Sequence, residues 1–295
     1  MLNVKIQITL LCVLLLSFSG RLSADVVLVD YVDFENGGFP NGWQVGSQYG
    51  GTHSILADTL GQVPNSTKSY RAGYPAPGGG GAFTWLGINV ADLDSNHIAI
   101  DFWAKMPSKT KHGLKFVKLF GKSSTEGGYA NVTFGLDYTG SDNGGMTAVS
   151  FGDGSQKQND TGNVIFLGGG NPEWVGRSYG HAEVETPQNS AWGSNKWGTD
   201  WHHFRFRVKF NSGDSVSTEV ADGEIYVEID GEVYVDAKKL FNRNHLNGNF
   251  RSIELGGWSQ SGTEPFEIWY DNITVTSGGF YNNPKMSSVV LDAPN

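Results

Sequence analysis

From Val26 onward the chain alternates apolar and polar residues in short bursts, and clusters of Gly, Asn, Asp and Pro separate the bursts. The segments "VVLVDYVDF", "AFTWLGI", "HIAIDFWAKM", "KFVKLFG", "YANVTFGLDY", "VIFLG", "HHFRFRVKF", "GEIYVEI", "VYVDA", "RSIELGGW" and "FEIWYDNITV" each read as a strand. No stretch sustains the 3.6-residue apolar period of a helix. So many short strands, punctuated so regularly, predict an all-β sandwich or jelly roll. One domain over residues 25–277 is the economical division, followed by a tail over 278–295. Residues 139–163 form a long polar stretch and are expected to be a loop.

"GEIYVEIDGEVYVD" tests how far such a pattern carries. Glu228, Asp230 and Glu232 stand at period two, and in one continuous strand they would share a face as glycosidase carboxylates do. Asp230-Gly231 between β-branched runs is instead a hairpin signal. The expected register has a three-residue loop, Ile229 to Gly231, with Val227 opposite Val233 and Ile225 opposite Val235 on an apolar face. Tyr226 then faces Tyr234, and Glu224 faces Asp236. The chain reverses between the acids, and the catalytic geometry is lost.

Composition narrows the picture. The 295 residues include 41 glycines, and only 17% are charged, which suits sheet and turns. The net charge of -9 argues against a nucleic-acid partner, which would need a basic surface. Lys5 followed by "IQITLLCVLLLSF" reads as a secretory signal, too short to span a bilayer comfortably, with cleavage after Ser19 or Ala24. A segment over 1–24 is therefore expected to be removed and the mature chain exported. The single cysteine, Cys12, lies in that segment, so the mature chain has no disulfide and no thiol chemistry. Sequons occur at Asn65, Asn131, Asn159 and Asn272. His202 and His203 are adjacent on a strand, point to opposite faces, and read as structural.

The ordered blocks "YRAGYPAPGGGGAF", "HIAIDFWAKMP", "LKFVKLFG", "WHHFRFRVKFN", "DGEIYVEIDGEVYVD", "IELGGWSQ" and "FEIWYDNITV" together resemble the concanavalin A-like jelly rolls, within them the polysaccharide-lyase type of glucuronan and alginate lyases. The resemblance covers about residues 67–276. It implies two stacked antiparallel sheets, one of them concave, with a polysaccharide lying in the concave groove.

Several residues are candidates for that groove. Arg177, Tyr179 and His181 in "VGRSYGHAE" are spaced by two, so an extended segment would aim all three one way. Their types suit β-elimination on a uronate: a cation neutralises the carboxylate, and a Tyr or His takes the acidified proton. Glu254, Trp258 and Gln260 alternate in "IELGGWSQ", with Gly256 leaving room for a ligand. Similar alginate lyases carry a Tyr where Trp258 stands. An indole N–H does no acid–base work at neutral pH, but its ring is a good platform for a sugar. Arg71, Tyr74, Tyr129 and Asn131 are further candidates for hydrogen bonds to a glycan. The opening "DFENGGFPNGW" and closing "YDNITV" are similar to the ends of calcium-bearing carbohydrate-binding jelly rolls. That similarity implies a structural Ca²⁺ on Glu35 and Asp271, completed by backbone carbonyls.

Three functions stay open at this point. The first is binding of an extracellular polysaccharide by Trp258, Gln260, Tyr179 and Arg177. The second is a polysaccharide lyase with Tyr179 or His181 as base and Arg177 or Gln260 neutralising the carboxylate. The third is a structural or adhesive protein that uses the fold without a glycan.

Overall fold

A computed structural model describes residues 26–57, 63, 66–75, 82–90, 95–106, 114–121, 130–136, 146–151, 163–166, 174–175, 183–185, 198–212, 220, 222–240, 242, 249–259 and 265–280. In chain order the strands are β1 (Val26–Val32), β2 (Trp43–Gln48), β3 (Thr52–Ala57), β4 (Lys68–Tyr74), β5 (Ala82–Asn89) and β6 (His97–Lys105). Next come β7 (Leu114–Gly121), β8 (Ala130–Leu136), β9 (Met146–Phe151), β10 (Asn163–Phe166), β11 (Trp174–Val175) and β12 (Glu183–Glu185). The last five are β13 (His202–Lys209), β14 (Gly223–Ile229), β15 (Glu232–Leu240), β16 (Phe250–Ser259) and β17 (Phe266–Ser277). The described residues hold no helix.

The strands make two antiparallel sheets. The first runs β12-β15-β14-β13-β6-β17-β4-β3, with β1 paired to β17 beside this path. The second runs β11-β10-β9-β8-β7-β16-β5-β2. This is the all-β, two-sheet jelly roll that the apolar pattern predicts. Period-two patterning supplies the core. On β13 the buried positions are Phe204, Phe206 and Val208, and on β14 they are Ile225, Val227 and Ile229. Aromatic rings lock one sheet to the other. The Phe102 and Phe116 centroids are 5.8 Å apart, those of Phe116 and Phe204 5.1 Å, and those of Phe134 and Phe206 4.3 Å.

The hairpin at 223–240 differs from its expected register. The turn has two residues, with Ile229 opposite Glu232, and both Asp230 (φ 54°) and Gly231 (φ 80°) are left-handed. Positive φ at both central positions is the turn whose twist matches the flanking strands. The register then shifts between Val227 and Glu228, so Val227 faces Val235 and Tyr226 faces Asp236. Tyr234 is the extra residue of this bulge. It is buried, so it does not share a polar face with Tyr226. Asp230 fixes the turn to the neighbouring strand, because its carboxylate accepts from the His203 N–H at 2.9 Å and meets His202 Nδ1 at 2.7 Å. His203 stacks on Trp103 and bonds Asp101 at 2.5 Å through Nε2, so both histidines are tied into the first sheet.

Candidate functional site

The outer face of the second sheet is built by the residues that the core does not take. Leu86 and Ile88 point inward on β5, which sends Trp85, Gly87 and Asn89 outward. Ile253 and Leu255 do the same on β16 and turn out Ser252 and Glu254. On β7 and β8 the outward residues are Lys118 and Thr133. Register aligns them in rows. Gln44, Gly87, Glu254, Lys118 and Thr133 form one row across five strands. Gly46, Trp85 and Gly256 form the next.

Trp85 lies across two glycines. A Cβ on Gly46 would come within 2.5 Å of the indole Cε2, and one on Gly87 within 2.6 Å of Cζ3. Contacts at both ends of the indole mean that the ring lies along the sheet, spanning β5 and β2. Only glycine at both positions leaves space for it. The ring is half-buried. Beside it, Lys118 and Glu254 form a close ion pair with side-chain exposures of 9% and 19%. The ammonium meets Glu254 Oε2 as an ion pair, and it lies 5.2 Å from the Phe120 ring centroid. Lys118 is placed on a strand by its neighbours: Val117 and Leu119 enter the core, so the residue between them must face out.

The residues expected in one groove are divided between the sheets. Glu254 is on the second sheet, but its partner is Lys118. Trp258 pairs with Phe83 in register, two positions beyond the Gly256–Trp85 pair, and its side chain lies outside the described residues. Gly256 does not open space for a ligand. Its φ is 78°, and a Cβ there would meet the Tyr74 hydroxyl and the Thr84 carbonyl oxygen, each at 2.7 Å. Tyr74 is correspondingly buried between the sheets. Its hydroxyl donates to Thr84 O at 2.9 Å and accepts from Gly257 N–H at 3.2 Å. It braces the bulge of β16 from below and offers nothing to a glycan in the groove. Arg71 is on β4 of the first sheet, in a close ion pair with Glu267. The expectation of one common groove therefore fails for Arg71 and Tyr74, because β4 and β16 belong to different sheets. Asn131 is placed on β8 by its backbone alone. Arg177, Tyr179, His181, Gln260 and Tyr129 lie outside the described residues.

Glu35 and Asp271, the two carboxylates expected at the ends of the domain, each bond to the short segment 66–69. β1 pairs with β17, with Val26 opposite Ser277. The Glu35 carboxylate accepts from Ser66 Oγ at 3.0 Å and Lys68 N–H at 2.8 Å, and from both the N–H and hydroxyl of Thr67. Burial alone would push its pKa up, but these donors outweigh it and hold the acid at about 2. Asp271 is fully buried. It accepts from Ser69 Oγ at 3.2 Å and Asn272 N–H at 2.7 Å. Burial, opposed by donors including Ser66 and reinforced by the charge of Asp33, pushes it up to about 7. Ser66 links the two acids and also lies 3.4 Å from Asp33 O and 3.0 Å from Lys68 O. Among the described residues no three His, Cys, Asp or Glu side chains converge on one point. An ion here would need hydroxyl and carbonyl oxygens as well, which is calcium-type ligation.

Sequence reasoning missed Trp85 and Lys118. Trp85 sits in "AFTWLGI", which reads only as a strand, and the second glycine of its shelf, Gly46, is far away in sequence. Alternation within "KFVKLFG" does mark Lys118 as outward, yet nothing local reveals Glu254 beside it.

Known structures share this architecture. An endo-β-1,4-glucuronan lyase from the fungus Trichoderma reesei matches with a TM-score of 0.56 and 13% identity, over 85% of this chain and 95% of that one. An alginate lyase from a Chlorella virus matches with a TM-score of 0.44 and 13% identity, over 85% of this chain and all of that one. Domain 4 of an extracellular arabinanase from Geobacillus stearothermophilus gives a TM-score of 0.42 and 14% identity, over 89% and 98%. The chain shares the two-sheet jelly-roll fold of the glucuronan lyase. No family model and no curated protein matches the sequence.

Proposed function

We propose that this is an exported protein that binds an extracellular polysaccharide across the outer face of its second sheet. The observation that carries the reading is Trp85, held along the sheet by Gly46 and Gly87. A ring lying on the backbone presents its other face outward, and the apolar face of a pyranose stacks on such a surface. Gln44 and Asn89, both exposed beside it, supply amide donors and acceptors for hydroxyls. The likeness to a glucuronan lyase supports a glycan ligand only by analogy of fold.

The test is affinity electrophoresis and calorimetry of the mature protein with glucuronan, alginate and neutral glucans. Trp85→Ala is expected to weaken binding about tenfold, the order of one aromatic contact. Unchanged binding in that variant would remove the platform from the site.

A second reading, cleavage by β-elimination, is favoured by Lys118, a cation on the same face one strand beyond β16. A uronate carboxylate would replace Glu254 as its partner and be neutralised. Arg177 or Gln260 would assist that neutralisation, and Tyr179 or His181 would take the proton from the adjacent carbon. As the C–O bond breaks, the leaving oxygen is protonated and a carbon–carbon double bond remains. A rise in ultraviolet absorbance from the unsaturated product, abolished in Tyr179→Phe or His181→Ala, tests this. We also propose a structural Ca²⁺ on Glu35 and Asp271, with Asp33 O, Lys68 O and Ser66 as neighbouring oxygens. It would fix the ends of the domain together.

A further inference from the structure

The first sheet carries a second opening. It is a cleft of about 470 Å³ where β3, β4 and β17 lie side by side, a volume suited to a small ligand. Its construction follows from register. Thr52, Gly73 and Glu267 occupy one row across the three strands. Gly73 has no side chain, so Thr52 and Glu267 stand on either side of a trough. A Cβ on Gly73 would meet Thr52 Oγ1 at 2.4 Å, so the hydroxyl already leans over the floor. Arg71 closes one end from the next row, while Pro75, Pro265 and Phe266 supply apolar wall. Tyr49, 68% exposed, precedes Gly50 of the rim.

The polar groups have a defined polarity. Arg71 Nε donates to Glu267 Oε2, and Trp269 Nε1 donates to Glu267 Oε1 at 2.8 Å. The two terminal nitrogens of Arg71 make no hydrogen bond among the described residues, and its side chain is 33% exposed. The cleft therefore offers a guanidinium edge that donates, a carboxylate that accepts, and a hydroxyl that does both. The paired charges cancel. A free carboxylate in the cleft would gain the Arg71 edge but face Glu267 at close range.

We infer that this cleft is a second glycan site, and that it takes a neutral sugar unit. Adjacent hydroxyls would accept from Arg71 and donate to Glu267, with the apolar face of the ring against Pro75, Pro265 and Phe266. The inference is independent of the platform at Trp85, since the two sites are on different sheets.

Saturation-transfer NMR with methyl β-glucoside, methyl β-galactoside, methyl α-mannoside and methyl β-glucuronide tests it on the full mature chain. At least one neutral glycoside is expected to receive saturation, and to be preferred to the glucuronide at least fivefold. Thr52→Val keeps the shape of an exposed edge position and should weaken that binding at least tenfold. Arg71→Met should do the same, with thermal unfolding as the check on its fold. Trp85→Ala should leave it unchanged while weakening polysaccharide binding. Silence with every neutral glycoside, equal or tighter binding of the glucuronide, or indifference to Thr52→Val overturns the inference. Loss of the signal in Trp85→Ala overturns it too. Binding here without any polysaccharide binding supports it and sinks the platform instead.

Discussion

Replacing Asp271 by Asn separates the cost of burying a charge from the benefit of binding an ion. The folded chain holds this carboxyl at about 7, against an ordinary 3.8. Between those pH values the folded state keeps a proton that the unfolded state has released. Stability therefore falls as pH rises, by about 1.4 kcal/mol per pH unit and about 4 kcal/mol in all. Asn is nearly isosteric, can serve both Ser69 and the Asn272 N–H, and does not ionise. Urea unfolding followed by Trp fluorescence, in chelator from pH 4 to 8, should show wild type and variant equal at pH 4. The variant should become the more stable one as pH rises, by up to about 4 kcal/mol at pH 8. That figure is an upper bound, because water reaching the ionised carboxylate lowers the cost. Calcium should then reverse the order at pH 8, stabilising wild type and not the variant. A difference that stays flat with pH in chelator refutes the burial argument. Equal stabilisation of both proteins by calcium moves the ion away from Asp271.

Three further outcomes follow from the geometry. Lys118→Met alone should destabilise by about 3 kcal/mol, since it leaves Glu254 charged and mostly buried, whereas the double variant Lys118→Met with Glu254→Gln should recover much of the loss in a double-mutant cycle by chemical denaturation. Asn242→Ala should cost about 2 kcal/mol by the same method, because Asn242 Oδ1 accepts from the buried Asn211 N–H at 3.0 Å and the variant orphans that donor. Gly87→Val should lift Trp85 off the sheet, which circular dichroism in the aromatic region would report, together with a loss of polysaccharide binding comparable to that of Trp85→Ala.

The fold was legible because it depends on alternation, and alternation is local. "HHFRFRVKF" and "GEIYVEI" display their buried positions residue by residue. The hairpin turn was legible for the same reason, but its register was not. A bulge at Tyr234 depends on which residue the core prefers to bury, and that is decided by the opposite sheet. The candidate site was the least legible part. Arg71 and Glu254 look equivalent along the chain, as polar residues between apolar ones, and only sheet order separates them. Gly256 reads as space for a ligand because nothing local announces the Tyr74 hydroxyl arriving from the other sheet. The anchoring of both Glu35 and Asp271 on residues 66–69 has no local signal in the sequence.

The position of β17 has a consequence for how the chain folds. It is the last strand described, yet it lies between β6 and β4, and β1 pairs with it as well. Until residues 266–277 are made, the first sheet is two fragments: β6 with β13 to β15 and β12 on one side, β4 with β3 on the other. Neither fragment can dock on the other without its missing middle. Non-local closure of this kind is slow, and until it happens the edge of β6 presents unpaired backbone to other chains. The protein should therefore stay open until synthesis has passed residue 277. That delay makes holdase chaperones the natural protectors of the unfinished sheet.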